Sequence, residues 1–268
     1  MEPTQSPARL LSKRNKALLR ELVVTDFKLR YQGSAIGYAW SLLRPLMIFV
    51  ILYIVFAKFL KLGAGVPHYP VYLLMGLVMW NFFADMTVQS LYSIVQRGDI
   101  LRKISIPRWI IPVSASISVF INLLFNLVVL AIFMIATDVH LRIAILLLPL
   151  SFAEIYLSGL GVSLFLAAAY VEYRDIRYAW EVVAQALFYL TPIIYPLTRI
   201  ASSHIREAIL LNPLGQAIQN ARYDGVTTVA VTTHHFYAQL IPVALMLVIL
   251  YLGMRYFKRR AGSFAENL

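Results

Sequence analysis

The chain contains no cysteine, and only 14% of its residues are charged, with 13 acidic side chains against 24 lysines and arginines. Without cysteine, disulfides and thiolate metal sites are excluded. The scarcity of charge excludes a water-soluble fold of ordinary composition, which carries about 25% charged and about 45–50% apolar residues. Here 60% of the 268 residues are hydrophobic and the mean hydropathy is +0.72. A soluble domain of this length has no interior large enough to hide that surface. The solvent is therefore lipid, where only helices or a closed barrel satisfy the backbone. The apolar stretches are continuous rather than alternating, which selects helices.

Catalytic signatures are also missing. No Gly-x-x-x-x-Gly-Lys-Ser/Thr loop occurs, so the chain cannot cradle a nucleotide in that way. A serine nucleophile elbow is absent as well. The histidines His68, His140, His204, His234 and His235 fall in expected outer loops without ligand spacing on a helix, and no metal site is expected. Asp85 and Glu154 lie within apolar stretches, where a charge at the bilayer centre costs about 2.5–3.5 kcal/mol on insertion scales. That cost makes each a functional candidate, although neither belongs to a carboxylate pair. The chain is expected to be no enzyme and to bind no cofactor.

Six segments have the length of about 20 residues that a bilayer requires: 39–60, 69–92, 110–136, 143–170, 179–195 and 236–257. The first thirty residues are basic, with no apolar core leading to a small-residue cleavage site, so no cleaved signal is expected. The net charge of +11 could suggest nucleic acid, but its distribution indicates otherwise. Eighteen lysines and arginines lie in the N-terminal segment through Arg44, in the second and fourth loops and in the tail; six lie on the other side. Positive charge is retained in the cytoplasm, so both termini are expected there. Trp40, Trp80, Trp109 and Trp180 fall near expected span ends, where interfacial anchoring accounts for most of them. No internal repeat of 20–50 residues supports an inverted-repeat transporter.

Four segments are not ordinary spans. In Leu10–Tyr31, apolar residues recur at helical spacing (Leu11, Leu18, Leu22; Leu19, Val23, Phe27) with Lys13, Arg14, Lys16, Arg20 and Lys28 on other faces. This predicts a basic amphipathic helix on the membrane surface or against a partner. The loop Gln96–Arg108 sets Ile100, Leu101, Ile104 and Ile106 beside Asp99, Arg102 and Lys103. It predicts a short helix that docks in a partner's groove, the alternative being an amphipathic turn packed on its own bundle. Pro192 should kink or break the fifth span. Between spans five and six, Asn212-Pro213 is an N-cap and first-turn pair that opens one of two short helices within Ser203–Tyr223. Within the spans, Ser114, Ser118, Asn122 and Asn126 form a polar stripe that suits helix packing or pore lining, and Ser158, Gly159, Gly161 and Ser163 permit close helix approach.

The stretch Arg30-Tyr-Gln-Gly-Ser-Ala-Ile-Gly-Tyr-Ala-Trp-Ser-Leu-Leu-Arg-Pro-Leu resembles the start of bacterial polysaccharide-export permeases. These are the membrane subunits of type-2 ABC transporters for O-antigen, capsule and teichoic acid. Further matching motifs follow in order at Tyr72-Leu-Leu-Met-Gly-Leu-Val-Met-Trp-Asn-Phe-Phe, Ile104-Ser-Ile-Pro-Arg, Ile111-Pro, Tyr173-Arg-Asp-Ile, Thr191-Pro-Ile-Ile-Tyr-Pro and Leu211-Asn-Pro-Leu. The resemblance implies an all-α membrane domain, residues 1–268, forming a homodimer of six-span subunits. Two copies of a separate ATPase, which uses ATP and Mg, would drive it in the inner membrane to move a lipid-linked polysaccharide. It implies an interface helix at Leu10–Tyr31 and a coupling segment at Gln96–Arg108, with Asp99, Ile100, Leu101, Arg102 and Lys103 at its centre. It also implies gating helices at Ser203–Tyr223 and a channel lined by spans one and five. Tyr38, Tyr53, Phe56, Tyr189 and Tyr195 are then candidates for glycan contact. A type-2 permease for a drug or small lipid would share this plan; an intramembrane glycosyltransferase and an ion channel are disfavoured because the sequence shows no acidic or metal cluster and no selectivity-filter motif, respectively.

Overall fold

The computed structural model describes residues 13–31, 33, 36–103, 106–140, 142–226 and 236–264. Leu10, Leu11, Ile104, His234 and His235 lie outside the described residues. Among those described, every regular element is helical. The α-helices are α1 (Lys13–Tyr31), α2 (Trp40–Leu52), α3 (Tyr69–Gln96), α4 (Gly98–Lys103), α5 (Ile110–Ala136), α6 (Leu148–Glu172), α7 (Ile176–Leu190), α8 (Ser203–Leu210), α9 (Pro213–Gly225) and α10 (Phe236–Arg260). A π-wound stretch, Tyr53–Phe59, continues α2.

Five helical stretches are long and apolar enough to cross a membrane: Gly37–Phe59, Tyr69–Gln96, Ile110–Ala136, Ile143–Glu172 and Leu240–Ser263. They coincide with five of the six expected spans. Within the expected fifth span, 179–195, the helix ends just before Pro192: α7 has 15 residues, about 22 Å at 1.5 Å per residue, short of a hydrocarbon core of about 30 Å. At Thr191 the backbone turns extended, as the residue before a proline favours, and Pro192 has no amide to continue the ladder.

Helix α3 is the centre of the bundle. Some 78% of its most apolar stretch is buried, against 6% of that in Gly37–Phe59, which stands at the periphery. Helices α5 and α6 pack on α3, α10 packs on α6, α1 on α5, and α9 on α6 and α3. The small residues of α6 make two of these seams. A Cβ at Gly161 would meet the backbone of Leu250, and one at Gly253 the backbone of Gly161, so α6 and α10 are in backbone contact, as small-residue pairs allow. On the nearly opposite face, Gly159 accommodates Met86 and the Ser163 hydroxyl donates to the Met86 carbonyl at 3.3 Å.

Two tryptophans depart from the anchoring expectation. Trp80 and Trp180 are buried, packed through Phe83, and Trp180 Nε1 donates to Thr87 Oγ1 at 3.2 Å. The hydroxyl on α3 satisfies the indole N–H, so the ring packs inside the protein instead of at the lipid interface.

Candidate functional site: the two ends of the bundle

At the basic end, α1 sets Leu18, Leu19, Leu22, Val23 and Phe27 inward and Lys13, Arg14, Lys16, Arg20 and Lys28 outward, the two-faced pattern its sequence predicts. Asp26 lies among the inward residues. Its carboxylate forms an ion pair with Arg97, the residue that ends α3. Arg97 also donates to Ser114 Oγ of α5 at 3.1 Å. One turn along, Ser118 Oγ reaches the Val23 carbonyl of α1 at 3.4 Å. The expected polar stripe of the third span therefore seats α1.

The same stripe seats the first span. Pro45 has no amide to bond the Ser41 carbonyl, and Asn126 Nδ2 supplies a donor at 3.4 Å. Around these contacts α1, α2, α3 and α5 enclose a cavity of about 680 Å³, lined in part by Asp26, Arg44, Asp85, Gln89, Arg97 and Asn122. Asp85 is thus at a polar cavity. Glu154, by contrast, is sealed within α6, and its Oε1 has no hydrogen-bond partner among the described residues.

Directly after Arg97, α4 forms with Asp99 exposed in its first turn, where an acid complements the helix dipole. The side chains of Ile100, Arg102 and Lys103 lie outside the described residues. Leu101 and Ile106 pack against the bundle's second apolar cluster with Trp109. For these two residues the arrangement is the alternative weighed in the sequence, a turn packed on its own bundle. A surface ion pair, Arg260–Glu172 at 3.1 Å, joins α10 to α6 nearby.

At the far end, the break after α7 leaves a series of carbonyls without helical donors, and several acquire side-chain donors instead. The Tyr195 hydroxyl lies 3.1 Å from the Tyr189 carbonyl and 3.3 Å from that of Leu190. The Tyr69 hydroxyl donates to Ile194 O at 2.7 Å. Arg222 of α9 donates to Pro192 O at 2.5 Å, Ile193 O at 2.6 Å and Tyr72 O at 3.0 Å. Its guanidinium carbon lies 3.6 Å from the Tyr72 ring centroid and the side chain is 1% exposed. Burial lowers its pKa from the ordinary value, but a guanidinium begins so high that it stays charged. A methyl group at Gly76 would occupy the space of Nη2, so a glycine there admits the fork. Asn212 caps α9 through Leu214 N at 3.1 Å and reaches Thr191 Oγ1 at 3.3 Å. Helices α3 and α9 and the turn itself are thereby held around one broken helix.

The aromatic candidates are not assembled into one site. Tyr38 stacks on Phe27 of α1 with centroids 5.1 Å apart. Tyr53 stacks on Phe49 at 5.8 Å, and Phe56 packs on the main core. Tyr189 and Tyr195 are brought together at the break; the Tyr189 ring is exposed, whereas the Tyr195 hydroxyl caps α7.

A model of the ABC-2 type transporter family matches residues 17–224. The chain belongs to that family. It is the membrane-embedded subunit of a transporter and works with a separate ATP-binding subunit. Three O-antigen export system permease proteins named RfbA are similar to it. The Myxococcus xanthus protein is 24% identical over 262 residues, 94% of this chain and 96% of the relative. One Klebsiella pneumoniae protein is 30% identical over 219 residues, 78% and 82% of the two chains. Another from that organism is 28% identical over 268 residues, 97% and 99% of the two.

Two features of this ABC-2 subunit escape a reading of basic residues by loop. Arg222 counts there only as a charge on the outer side, and Asp26 is not singled out. Both carried a signal. Arg222 continues the four-residue spacing of Leu214 and Ile218, and Asp26 that of Leu22. Each is a charge on the apolar face of an amphipathic helix, a position that requires a buried partner.

Proposed function

We propose that this chain is the membrane-spanning permease subunit of an ATP-driven exporter that moves a lipid-linked polysaccharide across the bacterial inner membrane. The observation that carries the reading is similarity over nearly full length to proteins named as O-antigen export permeases. In this reading the chain crosses the membrane six times, α7 and the turn after it making the fifth crossing. Both termini are cytoplasmic, as the distribution of basic residues favours.

Two copies form the channel and two copies of a cytoplasmic ATPase, using ATP and Mg, drive it. Helix α1 is the interface helix at the membrane surface. The segment around α4 receives the push of the ATPase, through exposed Asp99 and the basic pair Arg102 and Lys103, while Leu101 anchors it to the bundle. Helices α8 and α9 gate the outer end. Tyr38, Tyr53, Phe56, Tyr189 and Tyr195 are the aromatic surface offered to the glycan, and Asp85, beside a polar cavity, is a better candidate for transport than Glu154.

The test is deletion of the gene followed by analysis of surface and cytoplasmic polysaccharide. Loss of surface glycan, with lipid-linked glycan accumulating inside and restored export on complementation, is the expected result. Unchanged glycan alongside altered export of a drug or small lipid would overturn it.

A further inference from the structure

We infer that the Asp26–Arg97 ion pair is a positioning contact for transport, through which movement of α4 is delivered to α1 and the first span. The inference rests on the proposed coupling of α4 to the ATPase. Arg97 stands at the hinge: its amide bonds the Ile94 carbonyl at the end of α3 at 3.2 Å, and its carbonyl accepts from Leu101 of α4 at 3.1 Å. Any tilt of α4 about this point displaces the Arg97 backbone, and its side chain holds two other elements, Asp26 of α1 and Ser114 of α5.

The pair is well placed to transmit force and to let go. The side chains of Arg97 and Asp26 are 13% and 22% exposed, so screening by salt is weaker than for a surface pair. Arg97 engages only Asp26 Oδ1; Oδ2 is buried without a hydrogen-bond partner among the described residues. A pair held through one oxygen lacks the forked geometry that fixes Arg–carboxylate contacts rigidly. Beneath it lies the 680 Å³ cavity, lined by residues of α1, α2, α3 and α5. Movement of α1 and α2 there rearranges polar groups around a space instead of opening a close-packed core, where displacement is strongly resisted. Arg97 is thus the mechanical link between the segment that receives the push and the helices that border the proposed channel.

The experiment uses the full permease assembled with its ATPase in proteoliposomes, measuring glycan translocated per ATP hydrolysed. Asp26→Asn and Arg97→Gln are compared with the reversed pair, Asp26→Arg with Arg97→Asp. Ser114→Ala removes one hydrogen bond while sparing the pair. Each neutral variant is expected to lose about tenfold in translocation per ATP, the order of effect of one charge-assisted contact, while ATPase activity stays within about twofold. The reversed pair is expected to recover most of the loss, and Ser114→Ala to stay close to wild type. A merely structural role would lower assembly and hydrolysis together without changing their ratio to transport, and that result overturns the inference. So does an assembled neutral variant with a wild-type ratio. Should the neutral variants fail to assemble, Asp26→Glu, which keeps the charge but shifts the carboxylate by one methylene, decides: an assembled complex with lowered translocation per ATP supports the contact, and a wild-type ratio overturns it. If the wild-type complex itself shows no ATP-dependent glycan movement, the functional reading fails rather than the role of the pair.

Discussion

Arg222 shows how one side chain can hold an interrupted backbone in lipid. A lone buried cation is costly, and among the described residues no acid forms an ion pair with it; instead its guanidinium donates to the Tyr72, Pro192 and Ile193 carbonyls and to Gln219 Oε1. Removing it leaves those carbonyls dry, at about 1–3 kcal/mol for each group left unsatisfied. Arg222→Ala should therefore lower the thermal unfolding temperature of the detergent-purified protein sharply. Arg222→Lys, a point charge without the planar fork, should recover only part of the loss. Gly76→Ala tests the same site from the other side. Its methyl group displaces the guanidinium, so destabilisation of about 1–3 kcal/mol is expected, the usual range for overpacking. A Gly76→Ala protein that melts with wild type would show that Arg222 does not need the site it occupies.

The helical elements were largely legible in the sequence because lipid imposes a length and a period on each one independently. The five long spans, the two faces of α1 and the Asn212 cap follow from residues within a turn or two of one another. The shortness of α7 did not, because it depends on donors far away: Tyr69 reaches Ile194 across 125 positions and Arg222 reaches Pro192 across 30. Pro192 announced a break, but nothing local said where the freed carbonyls would find partners. The small residues of α6 were readable as a packing seam, though not as two seams on nearly opposite faces. Gly253→Val should pry α6 from α10, because its added carbons meet Gly161 backbone. A loss of about 1–3 kcal/mol or more in stability is expected from such overpacking, read as early melting and protease sensitivity. Helix α4 makes a functional prediction at the same scale. Replacing Leu101, Arg102 and Lys103 together should abolish surface glycan in a complementation assay while the subunit still reaches the membrane. Normal export by that variant would remove α4 from the coupling path.

In the proposed six-span reading, one copy of the chain leaves its fifth crossing incomplete. Helix α7 is too short to traverse the hydrocarbon core, and the irregular backbone that follows is tolerated at membrane depth only where protein buries it or water lines it. Yet Val182, Tyr189 and Leu190 of α7 are exposed, as are Met47 and Ile51 of α2. In the proposed homodimer, a second copy related by twofold symmetry would cover these exposed residues with the same residues of the other subunit, the self-complementary contact of cyclic dimers. The absence of cysteine makes the arrangement directly measurable, since every introduced thiol is the only one in its chain. Cysteines placed singly at Val182, Tyr189, Met47 and Ile51 should include positions that oxidise to disulfide-linked dimers, because bridging requires Cβ atoms about 3.5–4.5 Å apart. Cysteines at Ile143 and Leu146, equally exposed but on a different span, should remain monomeric under the same oxidant. Crosslinking at Ile143 and Leu146 with none on α2 or α7 would move the interface to the other side of the bundle. The exposed surface of α7 would then face lipid, and the channel could not run along the first and fifth spans.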